Sequence, residues 1–406
     1  MTDKQDVLLA RQPIYDTQKK VVAYELLFRE NNQAQSIGPF DGNRATSRVL
    51  LSLFTESDLS TVTAGLPAFI NFTAELLQNP PSFTPDSLVI EVLEDIDIDD
   101  TIINSLKHLK KKGFTLALDD FVMDKKYLPI LAIVDIVKLE LPAMDDRELK
   151  ETIALLKQYD VKLLAEKIET PELFNRCVEL GCDMFQGYFL SKPEIVKGKK
   201  IAANKLAILN LIAEIQSPTV DMNGLTQIIS RDPALSFQLL KLINSVAFKR
   251  SNTIESIHKA VTLLGLDKIK SWASLLALSK LDDKPEALHR IALVRAIMCE
   301  KLSEYLDPEF KDQFYTVGLF SCLDAFFDQD IHKIIENIPL GANVNNALLA
   351  HQGNAGLALD TTLCFEKAQW HKLKWGLLGK FGLNIKAIHK IYYESIQLAL
   401  ELSPRK

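Results

Sequence analysis

The chain is poor in the features that mark secreted, membrane-embedded or nucleic-acid-coating proteins. Its 406 residues hold five cysteines (Cys177, Cys182, Cys299, Cys322, Cys364), with no C-x-x-C pair or other zinc-ligand spacing. Thiols so scattered fit a reducing compartment better than a disulfide framework. No apolar run approaches the roughly 20 residues of a membrane-spanning helix; the longest, such as Ala273-Ser-Leu-Leu-Ala-Leu, are far shorter. The opening residues, Met1-Thr-Asp-Lys-Gln-Asp, are acidic and polar and lack the basic start and apolar core of a signal peptide. Excess positive charge is missing as well. Forty-seven Lys and Arg against 53 Asp and Glu leave a net charge of −6, which argues against a general nucleic-acid-binding surface. The clusters Lys110-Lys111-Lys112 and Lys197-Gly-Lys199-Lys200 read as a solvated helix end and a linker. The expectation is a cytoplasmic protein with no membrane association and no direct nucleic-acid partner.

What the chain does have is a series of acidic and amide residues at the far ends of short apolar runs. In order these are Ala68-Phe-Ile-Asn71, Leu88-Val-Ile-Glu91, Thr115-Leu-Ala-Leu-Asp119-Asp120, Ile136-Val-Lys138-Leu-Glu140, Leu163-Leu-Ala-Glu166 and Met184-Phe-Gln186. Apolar runs of this length, separated by helix-like stretches, predict buried parallel strands joined by crossover helices. Active sites of such barrels sit at the C-terminal strand ends. Several uncompensated carboxylates converging on one mouth are costly to bury, and so imply bound cations.

Texture divides the chain. Up to about residue 193, strand-like runs alternate with amphipathic helices such as Thr101 to Lys112 and Asp146 to Tyr159. Gly113 and Gly181 follow two of these, where left-handed C-caps are wanted. This is the pattern of an α/β TIM-like barrel. After Ser191-Lys-Pro193 strand-like runs largely disappear and apolar residues recur at helical spacing, which predicts an all-α domain. Asp232-Pro233 and Asp307-Pro308 read as helix starts. The expected domains are 1–195 and 196–406.

Carboxylates, an amide and a lysine around one mouth suit phosphate chemistry. Mg²⁺ or Mn²⁺ takes oxygen ligands, and two such ions can clamp a phosphodiester for in-line attack by water. The first half holds a single histidine, His108, on a helix, which leaves no Ser-His-Asp arrangement.

These residues carry a resemblance. Tyr24-Glu25-Leu26-Leu27-Phe28-Arg29 resembles the ExLxR signature of EAL domains, which hydrolyse the bacterial messenger cyclic di-GMP to linear pGpG. Ile70-Asn71-Phe72-Thr73, Glu91-Val-Leu-Glu94, Asp119-Asp120-Phe121, Lys138-Leu-Glu140, Ala165-Glu166-Lys-Ile-Glu169-Thr170 and Gln186-Gly-Tyr follow in family order over residues 7 to 193. The resemblance implies metal ligation by Glu25, Asn71, Glu91 and Asp119. It puts Asp120 at a second metal position and Glu166 at the metal centre. Lys138 would orient the attacking water, and Arg29, Glu140, Glu169 and Gln186 would contact or support the dinucleotide.

Three departures stand out. The family's glycine-rich loop after the paired aspartates is here Phe121-Val122-Met123-Asp124-Lys125-Lys126. Its side chains restrict a backbone that, in the family, couples substrate, metal and dimer; a homodimer is accordingly among the expected assemblies. The family's Lys-x-Asp is Lys138-Leu-Glu140, one methylene longer, and misplacement by about an ångström can cost roughly 100-fold in rate. The glycine of the family's AEGVE segment is Lys167. Slow turnover is expected.

In the second half, Asp232-Pro-Ala-Leu-Ser-Phe-Gln-Leu-Leu-Lys-Leu-Ile-Asn244-Ser245, followed by Ile254 to Gly265, resembles HDOD domains. These are helical modules related to HD phosphohydrolases but without their metal site. Gly318-Leu-Phe-Ser321-Cys322 stands where an HD enzyme carries His-Asp, and a hydroxyl and a thiol cannot replace that pair. Asn244 is expected to make helix-to-loop hydrogen bonds. The whole resembles the EAL–HDOD signalling proteins of bacteria. Two functions are weighed: a slow, metal-dependent cyclic di-GMP phosphodiesterase, and a non-catalytic cyclic di-GMP receptor signalling through the HDOD half to a protein partner. A scaffold with a dead pocket fits less well, because nearly all the ligand carboxylates are present.

Overall fold

The computed structural model describes residues 7–30, 59–80, 84–141, 144–191, 203–244, 254, 256–281 and 284–402. The chain forms two compact units, the first running through Phe189 and the second starting at Leu190.

Eight strands close the first unit into a barrel in sequence order. They are β1 (Val7–Asp16), β2 (Val21–Glu30), β3 (Ala68–Phe72), β4 (Leu88–Val92), β5 (Thr115–Leu118), β6 (Ile136–Glu140), β7 (Lys162–Glu166) and β8 (Met184–Gln186). From β2 to β8 neighbours run parallel, as expected. β1 does not: it is antiparallel to both β2 and β8. Only four residues separate β1 from β2, too few for a crossover helix, so the pair must be a hairpin. Asp16 shapes its turn by accepting from the backbone N–H groups of Gln18 and Lys20, each at 2.9 Å.

Helices between the strands start and stop on local signals. Asp99 caps Asp100–Lys111 by accepting from Ile102 N at 2.8 Å, and Ile102, Leu106 and Leu109 face inward at helical spacing. Asp145 and Glu148 form a capping box on Asp146–Leu156. Thr170 caps Pro171–Leu180, which ends on the left-handed Gly181 (φ 90°).

Inside the barrel, Ile14, Ala23, Phe69, Val89, Ala117, Ile136 and Leu164 form one buried apolar cluster, with Val22 and Met184 packed against it. This layer is the floor on which the candidate site stands.

The second unit is helical throughout its described residues. Asp232 caps Pro233–Ile243 through Leu235 N (3.0 Å). Asn244 ties that helix to the following loop: its Nδ2 donates to the Leu240 and Ile254 carbonyls, and its Oδ1 accepts from Ile254 N. Asp307-Pro308 behaves differently from expectation. Asp307 makes no capping bond, Pro308–Phe310 is a single 3₁₀ turn, and the α-helix starts at Lys311. Among the described residues no helix is long and apolar enough to cross a membrane.

The 21-residue helix Glu286–Leu306 packs closely on Lys311–Phe320. A Cβ at Gly318 would lie 2.3 Å from the Arg295 carbonyl oxygen and 2.6 Å from Ala296 Cα, both backbone atoms. Nearby Arg295 donates to the Ser321 carbonyl and hydroxyl oxygens and to Cys322 Sγ at 3.2–3.3 Å. Gly318→Ala must therefore push two helices apart. We expect it to destabilise this unit by about 1–3 kcal/mol, read as a lowered thermal midpoint by calorimetry; an unchanged midpoint would contradict the packing described.

Candidate functional site

Side chains alternate across a strand, so the residue two beyond each floor residue points into the same interior, one layer higher. Counting two from Ala23, Phe69, Val89, Ala117, Ile136, Leu164 and Met184 gives Glu25, Asn71, Glu91, Asp119, Lys138, Glu166 and Gln186. Registers bring Asn71 beside Glu91, and Glu140 beside Glu166. Because β1 is antiparallel, its contribution is found by counting backwards, from Ile14 to Gln12.

Lys138 sits at the centre of this layer, 1% exposed. Its Nζ lies 2.6 Å from Glu91 Oε1, 2.7 Å from Asp119 Oδ1, 2.9 Å from Glu166 Oε1 and 3.3 Å from Glu25 Oε1. An ammonium has three N–H donors, and here four carboxylates surround one. Glu91 shows the shortfall. It is fully buried, and despite the short approach to Nζ neither of its oxygens has a hydrogen bond of good geometry. Asn71 Oδ1 is likewise buried and without a hydrogen-bond partner.

Electrostatics follow from this crowding. Burial alone would lower the Lys138 pKa, but Glu25, Glu91, Glu166 and Asp119 together hold it well above its ordinary value. Burial raises Glu91 well above the carboxylate range despite the pull of Lys138, with Glu25 and Asp119 adding to the rise. Glu166 is pushed up to about 8, by burial first and by Glu25 and Asp119 against Lys138. Asp120, half-buried, rises to about 6 through burial and the charges of Asp119 and Glu140.

One flank is held by amides. Gln186 Nε2 donates to Glu25 Oε2 and to Gln12 Oε1, and Gln12 Nε2 donates to Tyr188 OH at 2.9 Å. Gln12 is a residue the sequence pattern did not single out. It lies in mid-strand rather than at a strand end, and only its two-residue spacing from Ile14 points to it.

On the opposite flank, oxygens of Asp119, Asp120 and Glu166 all lie within 4.8 Å of one another. Asp120 adopts φ 38°, which turns the chain sharply after β5. The loop beyond is well tied. Phe121 is buried and its N–H donates to the Lys138 carbonyl at 3.0 Å, Asp124 caps a 3₁₀ turn through Lys126 N, and Tyr127 OH donates to the Glu94 carbonyl. Val122 and Met123, between these anchors, are more than half exposed. Glu140 pairs with Lys167 at 2.6 Å. Glu169 is exposed in the loop leading to Thr170. Arg29 lies on β2, and its side chain falls outside the described residues.

The sequence matches the EAL domain over residues 2–193 and the HDOD domain over residues 205–332. It is similar to the Bacillus subtilis (strain 168) protein YuxH, 34% identical over 375 residues covering 90% of this chain and 91% of that one. It is also similar to the cyclic di-GMP phosphodiesterase CdgJ of Vibrio cholerae serotype O1, 32% identical over 393 residues covering 95% of this chain and 91% of that one.

The raised carboxyls predict a pH dependence. Between the ordinary glutamate pKa of about 4.3 and the value near 8 of folded Glu166, the native chain binds more protons than the unfolded one. Stability therefore falls as pH rises through that window. Urea unfolding of chelator-treated protein at pH 5 and pH 8 should give the lower midpoint at pH 8, and Glu166→Gln should flatten the difference. A midpoint that rises towards pH 8 in the parent, with the same slope in the variant, would refute the electrostatic reading.

Proposed function

The chain belongs to the family of proteins that join an EAL domain to an HDOD domain, and from that premise we propose that its barrel is a metal-dependent phosphodiesterase hydrolysing cyclic di-GMP to pGpG. The observation that carries this reading is the excess of buried carboxylate over Lys138. Such a cluster is costly to bury unless protons or further cations offset its charge. The donors fit a hard divalent ion: all are oxygens, Asn71 Oδ1 and Glu91 Oε2 are buried without hydrogen-bond partners, and Glu91 Oε1 has Lys138 Nζ alone beside it. Glu25, Asn71, Glu91 and Asp119 would hold Mg²⁺ or Mn²⁺, with Asp120 at a second position and Glu166 at the metal centre. Bound there, such an ion supplies Lewis-acid activation of the phosphodiester and of water.

The chain's own residues supply the rest. Lys138 is kept charged by its carboxylates, and with one or more of those carboxylates turned to a bound ion it would have an N–H free for the oxygen of the attacking water. As that oxygen bonds to phosphorus it gives one proton to a carboxylate of the cluster, the P–O3′ bond breaks with its electron pair going to the 3′ oxygen, and that oxygen takes up a proton, which opens the ring to the linear dinucleotide. Gln186 fixes one oxygen of Glu25 and is itself fixed by Gln12, so the strand carrying Glu25 cannot turn that carboxylate freely. Arg29, Glu140, Glu169 and Gln186 are the proposed contacts or supports of the dinucleotide. Residues 1–195 would be the catalytic domain and 196–406 an HDOD domain that engages a protein partner, with the protein acting in the cytoplasm.

A second reading, a cyclic di-GMP receptor that does not turn over, is favoured by one specific feature. Glu140 is engaged by Lys167, and the Val122–Met123 turn is anchored on both sides. Binding needs only static geometry; turnover also needs water, Lys138 and metal aligned in the transition state.

Incubating the purified protein with cyclic di-GMP and Mg²⁺ or Mn²⁺ separates the two readings. Linear product at catalytic enzyme concentration supports the enzyme, and saturable binding without product supports the receptor. We expect product, formed well below a typical enzyme's roughly 10 per second. Replacing Val122 and Asp124 with glycine, together with Glu140→Asp, should raise kcat and leave Kd nearly unchanged; a gain wholly in affinity would contradict this account. For the metal, calorimetry of Glu25→Ala and Asp119→Ala should show Mn²⁺ binding weakened at least tenfold, and parent-like binding in both would discard the ligand assignment.

A further inference from the structure

Lys167 is the residue of the barrel mouth that neither the metal ligands nor the hydrolytic step accounts for. It follows Glu166 directly and adopts φ 54°, a left-handed backbone that costs any residue with a Cβ more than it costs glycine. Its Cα position is imposed from below. Ile168 N–H donates to the Gln186 carbonyl at 3.0 Å, and Phe189 N–H to the Ile168 carbonyl at 3.2 Å. Gly187 lets this segment close in: a Cβ there would stand 2.1 Å from the Ile168 carbonyl oxygen. Segment 167–169 is thus strapped onto the end of β8, and the strained residue carries a long cationic side chain outward over the mouth.

Among the described residues the ammonium has one close partner, Glu140 Oε1 at 2.6 Å, and the charges of Asp120 and Glu166 also act on it. Glu140 is one strand alternation above Lys138, hence one layer nearer the opening than the central cluster. The Lys167 side chain is 56% exposed and that of Glu140 26%. An exposed pair of this kind exchanges partners readily, because solvent screening leaves it weakly bound. Lys138 is spent on four carboxylates inside, whereas Lys167 is a cation at the rim with a single tether.

We propose that Lys167 is a ligand-binding residue: its ammonium is stored on Glu140 and transfers to a phosphate oxygen of the incoming dinucleotide. This deepens the phosphodiester reading of the same site and rests on it. An anion entering a mouth lined by carboxylates meets repulsion from Glu140 and Asp120, and a rim lysine offsets it. The exchange swaps one charge-assisted hydrogen bond for another. Glu140, counted above among the supports of the dinucleotide, acts here only through Lys167: it positions the ammonium but competes with the ligand for it, so its net effect opposes binding.

That gives the two partners opposite signs, which a structural ion pair would not. For full-length parent, Lys167→Met, Lys167→Gly, Glu140→Gln and the Lys167→Met/Glu140→Gln double variant, cyclic di-GMP binding at saturating Mg²⁺ is followed by rapid mixing within the first turnover. Loss of one half-exposed charge-assisted bond should weaken Kd about five- to tenfold in both Lys167 variants. Glu140→Gln should tighten it, and the Lys167→Met penalty should be larger when Glu140 is already glutamine. Glycine suits φ 54° without strain, so Lys167→Gly should melt no lower than the parent while still losing affinity. The proposal is overturned if either Lys167 variant binds within twofold of the parent, or if Lys167→Met and Glu140→Gln weaken binding together. A parent that takes up Mg²⁺ but no cyclic di-GMP would instead sink the phosphodiester reading, and this inference with it.

Discussion

The ammonium of Lys138 among four carboxylates is the interaction on which the first unit is organised. Each of β2, β4, β6 and β7, and the residue just after β5, delivers one charged group to it. Removing one partner of a buried ion pair costs several kcal/mol, because the survivor keeps its desolvation cost. Here the balance is lopsided from the start, with one positive charge against four negative ones. Part of the imbalance is absorbed by protons, as the raised carboxyls of Glu91 and Glu166 indicate. The rest is what the proposed divalent ions would offset. Stability and proposed function therefore draw on the same cluster and pull against each other, an arrangement expected where electrostatic strain serves chemistry.

Much of this was legible in the chain. A carboxylate or amide at the end of an apolar run has few structural reasons to be there, so Asn71, Glu91, Asp119 and Glu166 announced themselves. The alternation of strand side chains then converts run position into interior position. Three things were not legible. Gln12 lies in a strand whose direction is set by a hairpin, and direction cannot be read from hydrophobic period alone. Glu140 and Lys167 each depart from the family pattern, but sequence treats them as separate oddities; only the β6–β7 register makes them partners. Asp307-Pro308 has the letters of a helix start, yet its carboxylate makes no cap and a 3₁₀ turn intervenes.

The helical unit shows a related economy. Where related phosphohydrolases would need a histidine and an aspartate, Ser321 and Cys322 accept hydrogen bonds from Arg295, a buried guanidinium. A permanent side-chain cation occupies the interior there, as Lys138 does in the barrel; it donates to a hydroxyl, a thiol and a carbonyl, and its charge also acts on the carboxyl of Asp324. The two interiors thus share a device and differ in the groups set around it, with four carboxylates crowding the ammonium of Lys138.

The reversed first strand has a consequence for how the barrel comes together. β1 and β2 are neighbours in the chain and can pair as soon as both exist, whereas the seam between β1 and β8 joins segments far apart in sequence. The Gln12–Gln186 hydrogen bond across that seam spans 174 residues. Contacts of such separation are slow to form and come at a large loss of chain entropy. Gln186 also holds Glu25, so a ring contact of that separation is wired to the first acidic residue of the cluster. Until that seam pairs, Gln186 lacks Gln12 and the Glu25 carboxylate lacks the amide that holds it, so this wall of the site is completed only with the cylinder.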